Sequence, residues 1–238
     1  MWFFGRKKNL KESGLLVGSI DHHSHILPGV DDGVKTLPDA LEILAKHEEA
    51  GVKVLWLTPH IMEDYPNTPE TLRQHFARLR EAYKGSITLH LAAEYMLDNF
   101  FEEILEKGNL LPIGQEGNHL LVETSYYTPP MRLYGTLERI KSKGYFPLLA
   151  HAERYLYLEK EDYLKLREKG VKFQLNIPSL AGVYGSEVQK KATWLLDNEM
   201  YAVTGSDTHC SRAIKTLEQT TLSSKLCKNL EKIIAKEI

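Results

Sequence analysis

The sequence predicts an α/β fold whose parallel strands close, or nearly close, into one barrel. Three observations carry that expectation. From Val17 onward, seven short β-rich runs alternate with amphipathic helical stretches. No Pro/Gly/Ser-rich linker, composition break or low-complexity tract divides the chain. Its 238 residues also suit a one-domain α/β barrel, which usually takes ~200–250. An open doubly wound sheet is the alternative. Such a sheet usually carries a glycine-rich phosphate loop after its first strand, and Gly29 and Gly33 do not form G-x-G-x-x-G.

The runs at 20–23, 54–58, 87–93, 120–123, 147–151, 173–176 and 202–205 read as strands. After the first, Thr36 is placed to cap a helix on which Leu37, Leu41 and Leu44 recur at helical spacing before Gly51 stops it. Thr68-Pro69 opens the next helix, with Leu72, Phe76, Leu79 and Tyr83 on one face. Further helices are expected near 98–107, 131–143, 161–169, 186–198 and 223–236, with Gly108, Gly144 and Gly170 as stops. Residues 1–18 read as a flexible N-terminal tail, and 19–238 as one domain. The opening Met1-Trp2-Phe3-Phe4-Gly5-Arg6-Lys7-Lys8 is apolar then basic, the reverse of a secretory signal. Its sharper reading is a small foot giving weak peripheral attachment at the inner membrane surface or to a partner.

An apolar share of 42% and a charged share of 26% exclude a disordered or fibrous chain. Thirty basic against 32 acidic residues leave no surplus to recruit nucleic acid or anionic lipid. Cys210 and Cys227 are too few for a disulfide framework, which suits a reducing cytoplasm. No apolar run reaches the roughly 18 residues of a spanning helix.

Ten histidines are the informative count. Barrel chemistry sits at the C-terminal ends of the strands, and here nearly every expected strand ends in a metal-ligand type. The first ends in His23-Ser24-His25, followed by Asp31-Asp32 in a loop. His60, Glu94, Glu123 and His151 end or follow the next four, and the last runs into Asp207-Thr208-His209. Spacing of two puts His23 and His25 on one side of an extended chain, and Asp207 and His209 repeat it. A single histidine at a strand end is more often a hydrogen-bonded core or surface residue. Recurrence in successive strand–helix units argues otherwise, because clustered buried carboxylates need cations. His47, His75, His90 and His119 read as ordinary, and His22 faces away from His23. Nitrogen and oxygen donors without thiolate suit manganese, iron or zinc. So many ligands imply two or three divalent ions sharing a carboxylate, and metal-assisted hydrolysis. Arg154 follows His151 by three residues, and Arg212 follows His209 by three. Each alone reads as a surface ion pair; together they favour a phosphate, which a guanidinium grips with two prongs.

The block from Asp21 to Gly33, His23-Ser24-His25-Ile26-Leu27-Pro28-Gly29-Val30-Asp31-Asp32 included, resembles the opening of the polymerase-and-histidinol-phosphatase (PHP) superfamily. It is most similar to the branch of bacterial protein-tyrosine phosphatases from capsular and exopolysaccharide gene clusters. Thr58-Pro59-His60, Ala93-Glu94-Tyr95, Val122-Glu123, Ala150-His151-Ala152-Glu153-Arg154-Tyr155 and Gly205-Ser206-Asp207-Thr208-His209 continue the resemblance in order, over about residues 19 to 210. It implies a distorted seven-stranded (β/α) TIM-like barrel holding up to three ions, often manganese. His23, His25, Glu94 and Asp207 would hold one ion. Glu94, Glu123 and His151 would hold a second, and Asp32, His60 and His209 a third. Arg154 and Arg212 match the family's phosphate-contacting arginines. The tail and the Asp21-His22-His23 step depart from the plain pattern, and neither touches an expected ligand.

The resemblance implies a metal-dependent protein-tyrosine phosphatase of the cytoplasm, using a metal-bridging hydroxide. Its partner would be a phosphotyrosine-bearing bacterial tyrosine kinase of polysaccharide export. A small-molecule phosphatase of histidinol-phosphate type is the alternative on the same scaffold, ahead of an amidohydrolase or a non-catalytic module. A cysteine nucleophile is excluded, since the sixth residue after Cys210 is Thr216 and after Cys227 is Ile233, neither an arginine.

Overall fold

The structure, a computed structural model, describes residues 8–238. In chain order it runs β1 (Lys8–Asn9), α1 (Leu10–Ser13), β2 (Ile20–Asp21), α2 (Leu37–Ala50), β3 (Val54–Leu57), β4 (His60–Ile61), α3 (Pro69–Ala82), β5 (Thr88–Leu91), β6 (Glu94–Met96) and α4 (Asn99–Lys107). There follow β7 (His119–Glu123), α5 (Leu133–Ser142), β8 (Phe146–Leu149), α6 (Lys160–Glu168), β9 (Lys172–Asn176), α7 (Ser186–Asp197), β10 (Tyr201–Gly205), α8 (Ser211–Gln219), β11 (Thr221–Leu222) and α9 (Ser224–Glu231).

Local chemistry sets the helix ends. The Thr36 hydroxyl accepts from the Asp39 amide at the start of α2, and Gly51 ends it at φ 95°. Thr68 and Thr71 cap α3 reciprocally, with Pro69 in its first turn. Asp98 caps α4 through the Phe101 amide.

The main strands are parallel. One sheet has the order β10-β9-β8-β7-β6-β4 and a second the order β2-β3-β5, with an antiparallel β1–β11 pair beside them. Hydrogen bonding therefore groups the strands as six and three, not as a single seven-stranded ring. Two expected strands are each followed by a further short strand: β4 begins after Thr58-Pro59, and β6 after Ala92-Ala93. Pro59 has no amide to give a ladder. Leu57 pairs with Leu91 before these dipeptides and His60 with Glu94 after them, so the register survives. The two sheets also meet at a seam. His22 donates to Thr204 O (3.0 Å), Asp207 to His23 O (2.8 Å) and His25 to Thr208 O (3.0 Å).

Alternation along the strands divides the apolar interior. Leu120 and Val122 join a large core with the helices, whereas Leu121 joins a small one with Ala92, Leu148, Ala150 and Val203. Among the described residues no helix is long and apolar enough to cross a membrane.

The expectation of a flexible tail over 1–18 is corrected for its second half. Leu10 is fully buried, its amide donates to Thr220 O (3.0 Å), and Leu16 is buried too. Leu10, which opens α1, found a partner in the C-terminal region, which the sequence-local reading did not consider. Residues 1–7, which carry most of the aromatic and basic foot, lie outside the described residues.

Candidate metal centre

The strand ends bring all nine expected ligand side chains together. Those of His23 and His25 lie on one side of the chain leaving β2, with their Nε2 atoms 3.0 Å apart. Glu94 opens β6, and its Oε2 lies 3.2 Å from each of His23 Nε2, His25 Nε2 and His60 Nδ1. Its Oε1 lies 2.9 Å from His151 Nε2. Glu123, at the end of β7, places Oε1 3.1 Å from His60 Nδ1. Asp207 Oδ1 stands 3.5 Å from both His23 and His25 Nε2. Asp32, half exposed, reaches His60 (3.5 Å) and His209 (3.4 Å).

Two backbone outliers help aim these groups. His151 has φ 31° and Asp207 φ 54°, a left-handed conformation that non-glycine residues keep only where surroundings enforce it.

Neighbouring side chains orient the imidazoles, as they commonly do around metals. Asp31 Oδ2 contacts His25 Nδ1 at 2.8 Å and also accepts from the His60 amide at 3.1 Å. Gln174 Oε1 contacts His23 Nδ1 at 3.0 Å and accepts from the His151 amide at 2.8 Å. The sequence reading named Asp31 only as a loop residue and missed Gln174. A glutamine between Phe173 and Leu175 in an apolar strand was the available signal.

The donor set fits divalent cations. Glu94 Oε2 and His60 Nδ1 are buried without a hydrogen-bond partner, a costly state unless a cation lies between such groups. Four sets of donor atoms each fall within 4.8 Å: His25/Asp32/His60/His209, His23/His25/Asp207, His23/Glu94/His151 and His60/Glu94/Glu123. The electrostatics agree. Burial opposes charge on His23, yet Glu94 and Asp207 push it up to about 9. Burial likewise opposes His60, and Glu94 and Glu123 push it to about 10. Burial raises Asp207, but the surrounding imidazoles, His23 first, bring it down to about 2. The site demands positive charge.

Seven of the nine expected ligands, all but His23 and His25, line a cleft of ≈480 Å³ together with Met62, Tyr65, Met96, Tyr126, Arg154 and Tyr184. Arg154 sits on the 3-10 turn Ala152–Arg154 and donates through Nη1 to Asp207 Oδ2 at 2.9 Å. Its guanidinium carbon lies 4.4 Å from the Tyr126 ring centroid and 4.5 Å from that of Tyr184. Buried Glu153 anchors the turn by accepting from the Asn176 amide (3.0 Å) and the Tyr201 hydroxyl (2.9 Å). Burial pushes the Glu153 carboxyl up to about 7. Arg212 is different: it lies exposed near the start of α8, and the cleft is lined there by Ala213. Cys210 is an exposed free thiol outside that lining. Tyr184 carried no signal in the sequence.

Residues 19–237 match the family model described as "Capsular polysaccharide synthesis, CpsB/CapC". The chain is 29% identical over 196 residues to the tyrosine-protein phosphatase YwqE of Bacillus subtilis (strain 168), covering 80% of this chain and 77% of that protein. It is 30% identical over 203 residues to the tyrosine-protein phosphatase CpsB of Streptococcus pneumoniae, covering 80% and 82%. Its fold is similar to a crystal structure from the work on YwqE and CpsB, described as unique metal-dependent tyrosine phosphatases, with a TM-score of 0.73 at 24% identity over 91% of this chain and 94% of the other.

Proposed function

Since this chain belongs to the CpsB/CapC capsular polysaccharide synthesis family, we propose that it is a metal-dependent protein-tyrosine phosphatase acting in polysaccharide synthesis. The observation that carries the reading is the unpartnered Glu94 Oε2 facing three imidazole nitrogens, with Arg154 held beside the same cluster. His23, His25, Glu94 and Asp207 would hold one ion, Glu94, Glu123 and His151 a second, and Asp32, His60 and His209 a third. Manganese is the proposed metal, with iron or zinc as competitors for the same donors. Bound ions would acidify a water and offset charge on phosphate oxygens.

The chain's own residues do the rest. Asp207 holds the Arg154 guanidinium at the cleft, where its remaining N–H groups can take phosphate oxygens. The Tyr126 hydroxyl stays protonated, because burial and then Glu123 raise it. A tyrosine leaving group has a pKa near ~10, so its departure needs little proton help. The same reading joins the two sheets into one distorted seven-stranded barrel within a single domain, supported by the seam hydrogen bonds and the retained register. It assigns a cytoplasmic location and a bacterial tyrosine kinase of polysaccharide export as partner.

The test is turnover of a phosphotyrosine peptide, histidinol phosphate and a sugar phosphate, each with manganese and with chelator. Manganese-dependent turnover of the peptide above both small phosphates is expected. Unchanged turnover after chelation, with metal near zero, or a preference for a small phosphate, would overturn the reading.

A further inference from the structure

We propose that Tyr126 and Tyr184 are positioning residues that clamp Arg154 in the orientation needed to receive a phosphate group. The inference rests on the phosphatase reading above and adds residues which that reading does not require.

The geometry is specific. Both rings lie against one guanidinium, at 4.4 and 4.5 Å, within the roughly 6 Å over which an aromatic face attracts a cation. They come from different parts of the chain, Tyr126 from the segment after β7 and Tyr184 from the segment before α7. Each is itself tethered. The Tyr184 hydroxyl accepts from Asn176 Nδ2 at 3.2 Å, and the same amide group donates to Asp207 Oδ2 at 3.2 Å. Tyr126 stacks on buried Tyr155, with centroids 5.8 Å apart. Its hydroxyl lies 3.4 Å from His151 Nε2.

An arginine held only by Asp207 Oδ2 could still rotate about that single hydrogen bond. Two aromatic faces remove this freedom and shield the ion pair from water. The ordering cost is then met in the free protein and not on substrate binding. The carboxylate uses one edge of the fork, and the remaining N–H groups are left for a phosphate. The clamp should therefore act on phosphate through Arg154 alone.

Tyr184→Leu and Tyr184→Phe separate the ring from the hydroxyl, and Arg154→Ala closes a double-mutant cycle. Two readings are taken: kcat and KM for a phosphotyrosine peptide, and affinity for inorganic phosphate by calorimetry, both with bound manganese per chain. Tyr184→Leu should lower kcat/KM and phosphate affinity by about five- to thirtyfold at normal metal content. Tyr184→Phe should restore most of that loss. In the Arg154→Ala background Tyr184→Leu should add no more than about twofold. Tyr126→Leu, rescued by Tyr126→Phe, should behave alike in the phosphate titration. Wild-type values in Tyr184→Leu, or an equal further loss without Arg154, would overturn the clamp. The calorimetric arm reads it even if the parent chain fails to hydrolyse the peptide, so failure of the clamp and failure of the phosphatase reading are distinguishable.

Discussion

Arg154→Lys keeps a positive charge beside Asp207 but loses the planar fork that fits between two aromatic rings. Losing one charge-assisted hydrogen bond costs about 1.5–3 kcal/mol, or roughly ten- to a hundredfold in rate. The expected result is that loss in kcat/KM for a phosphotyrosine peptide with unchanged metal per chain; wild-type efficiency would reduce Arg154 to an ordinary ion pair. His119 supplies a prediction about stability. Its ring is buried against Phe146 with neither nitrogen hydrogen-bonded, and burial, then the charge of Lys172, pushes it down to about 4. The unfolded chain takes up this proton near pH ~6.5, well before the folded chain does. The stabilisation is complete above that pH and is lost as pH falls toward 4. Urea denaturation at pH 7.5 and 5.0 should show a smaller acid loss in His119→Gln than in the wild type. An identical loss in both would show that this histidine is already solvated.

The α1 turn shows how an element missed by local reading earns its place through contacts far along the chain. Leu10→Ala should destabilise the protein by about 2–5 kcal/mol, as a fully buried leucine does, while metal content stays normal. A loss under about 0.5 kcal/mol, a surface-like value, would return this segment to the status of a tail. The sequence reading also placed no helix at α8 and no strand at β1 or β11, but most other elements were legible for a consistent reason. Caps such as Thr36 and Thr68, the Pro69 start and the Gly51 stop act over three or four residues and are written in order along the chain. So are ligand types at strand ends, because alternation decides which side chains share a face: His23 and His25 meet, and His22 turns away to a separate ≈240 Å³ cavity beside Trp56 and His90. The short strands β4 and β6, the burial of Leu10, the role of Gln174 and the exposure of Arg212 depend on packing between remote segments. An arginine three residues after a ligand looks alike at 154 and 212. The turn held by Glu153 sets the first in the cleft lining, whereas the second is exposed at the start of α8.

Across the whole molecule, Asp32, Glu94, Glu123 and Asp207 converge on one cluster, so cations and folding are linked. Manganese at a hundred times its Kd should add about 2.7 kcal/mol of stability. For a chain of this size that is roughly 5–10 °C in Tm. Melting curves in manganese and in chelator check it, and coincident curves would mean that the cluster needs no metal to persist. The seam sets a schedule for this assembly. The Asp21 carboxylate accepts from the His23 amide at one side and the Ser206 amide at the other, across 185 positions of sequence. On a ribosome adding ~5–20 residues per second, the second partner follows the first by about 10–40 s. By the end of that interval seven of the nine expected ligands are in the chain, and only Asp207 and His209 are still to come. The donor sets that include Asp207 or His209 are therefore complete only once the chain has passed β10 and the seam has closed.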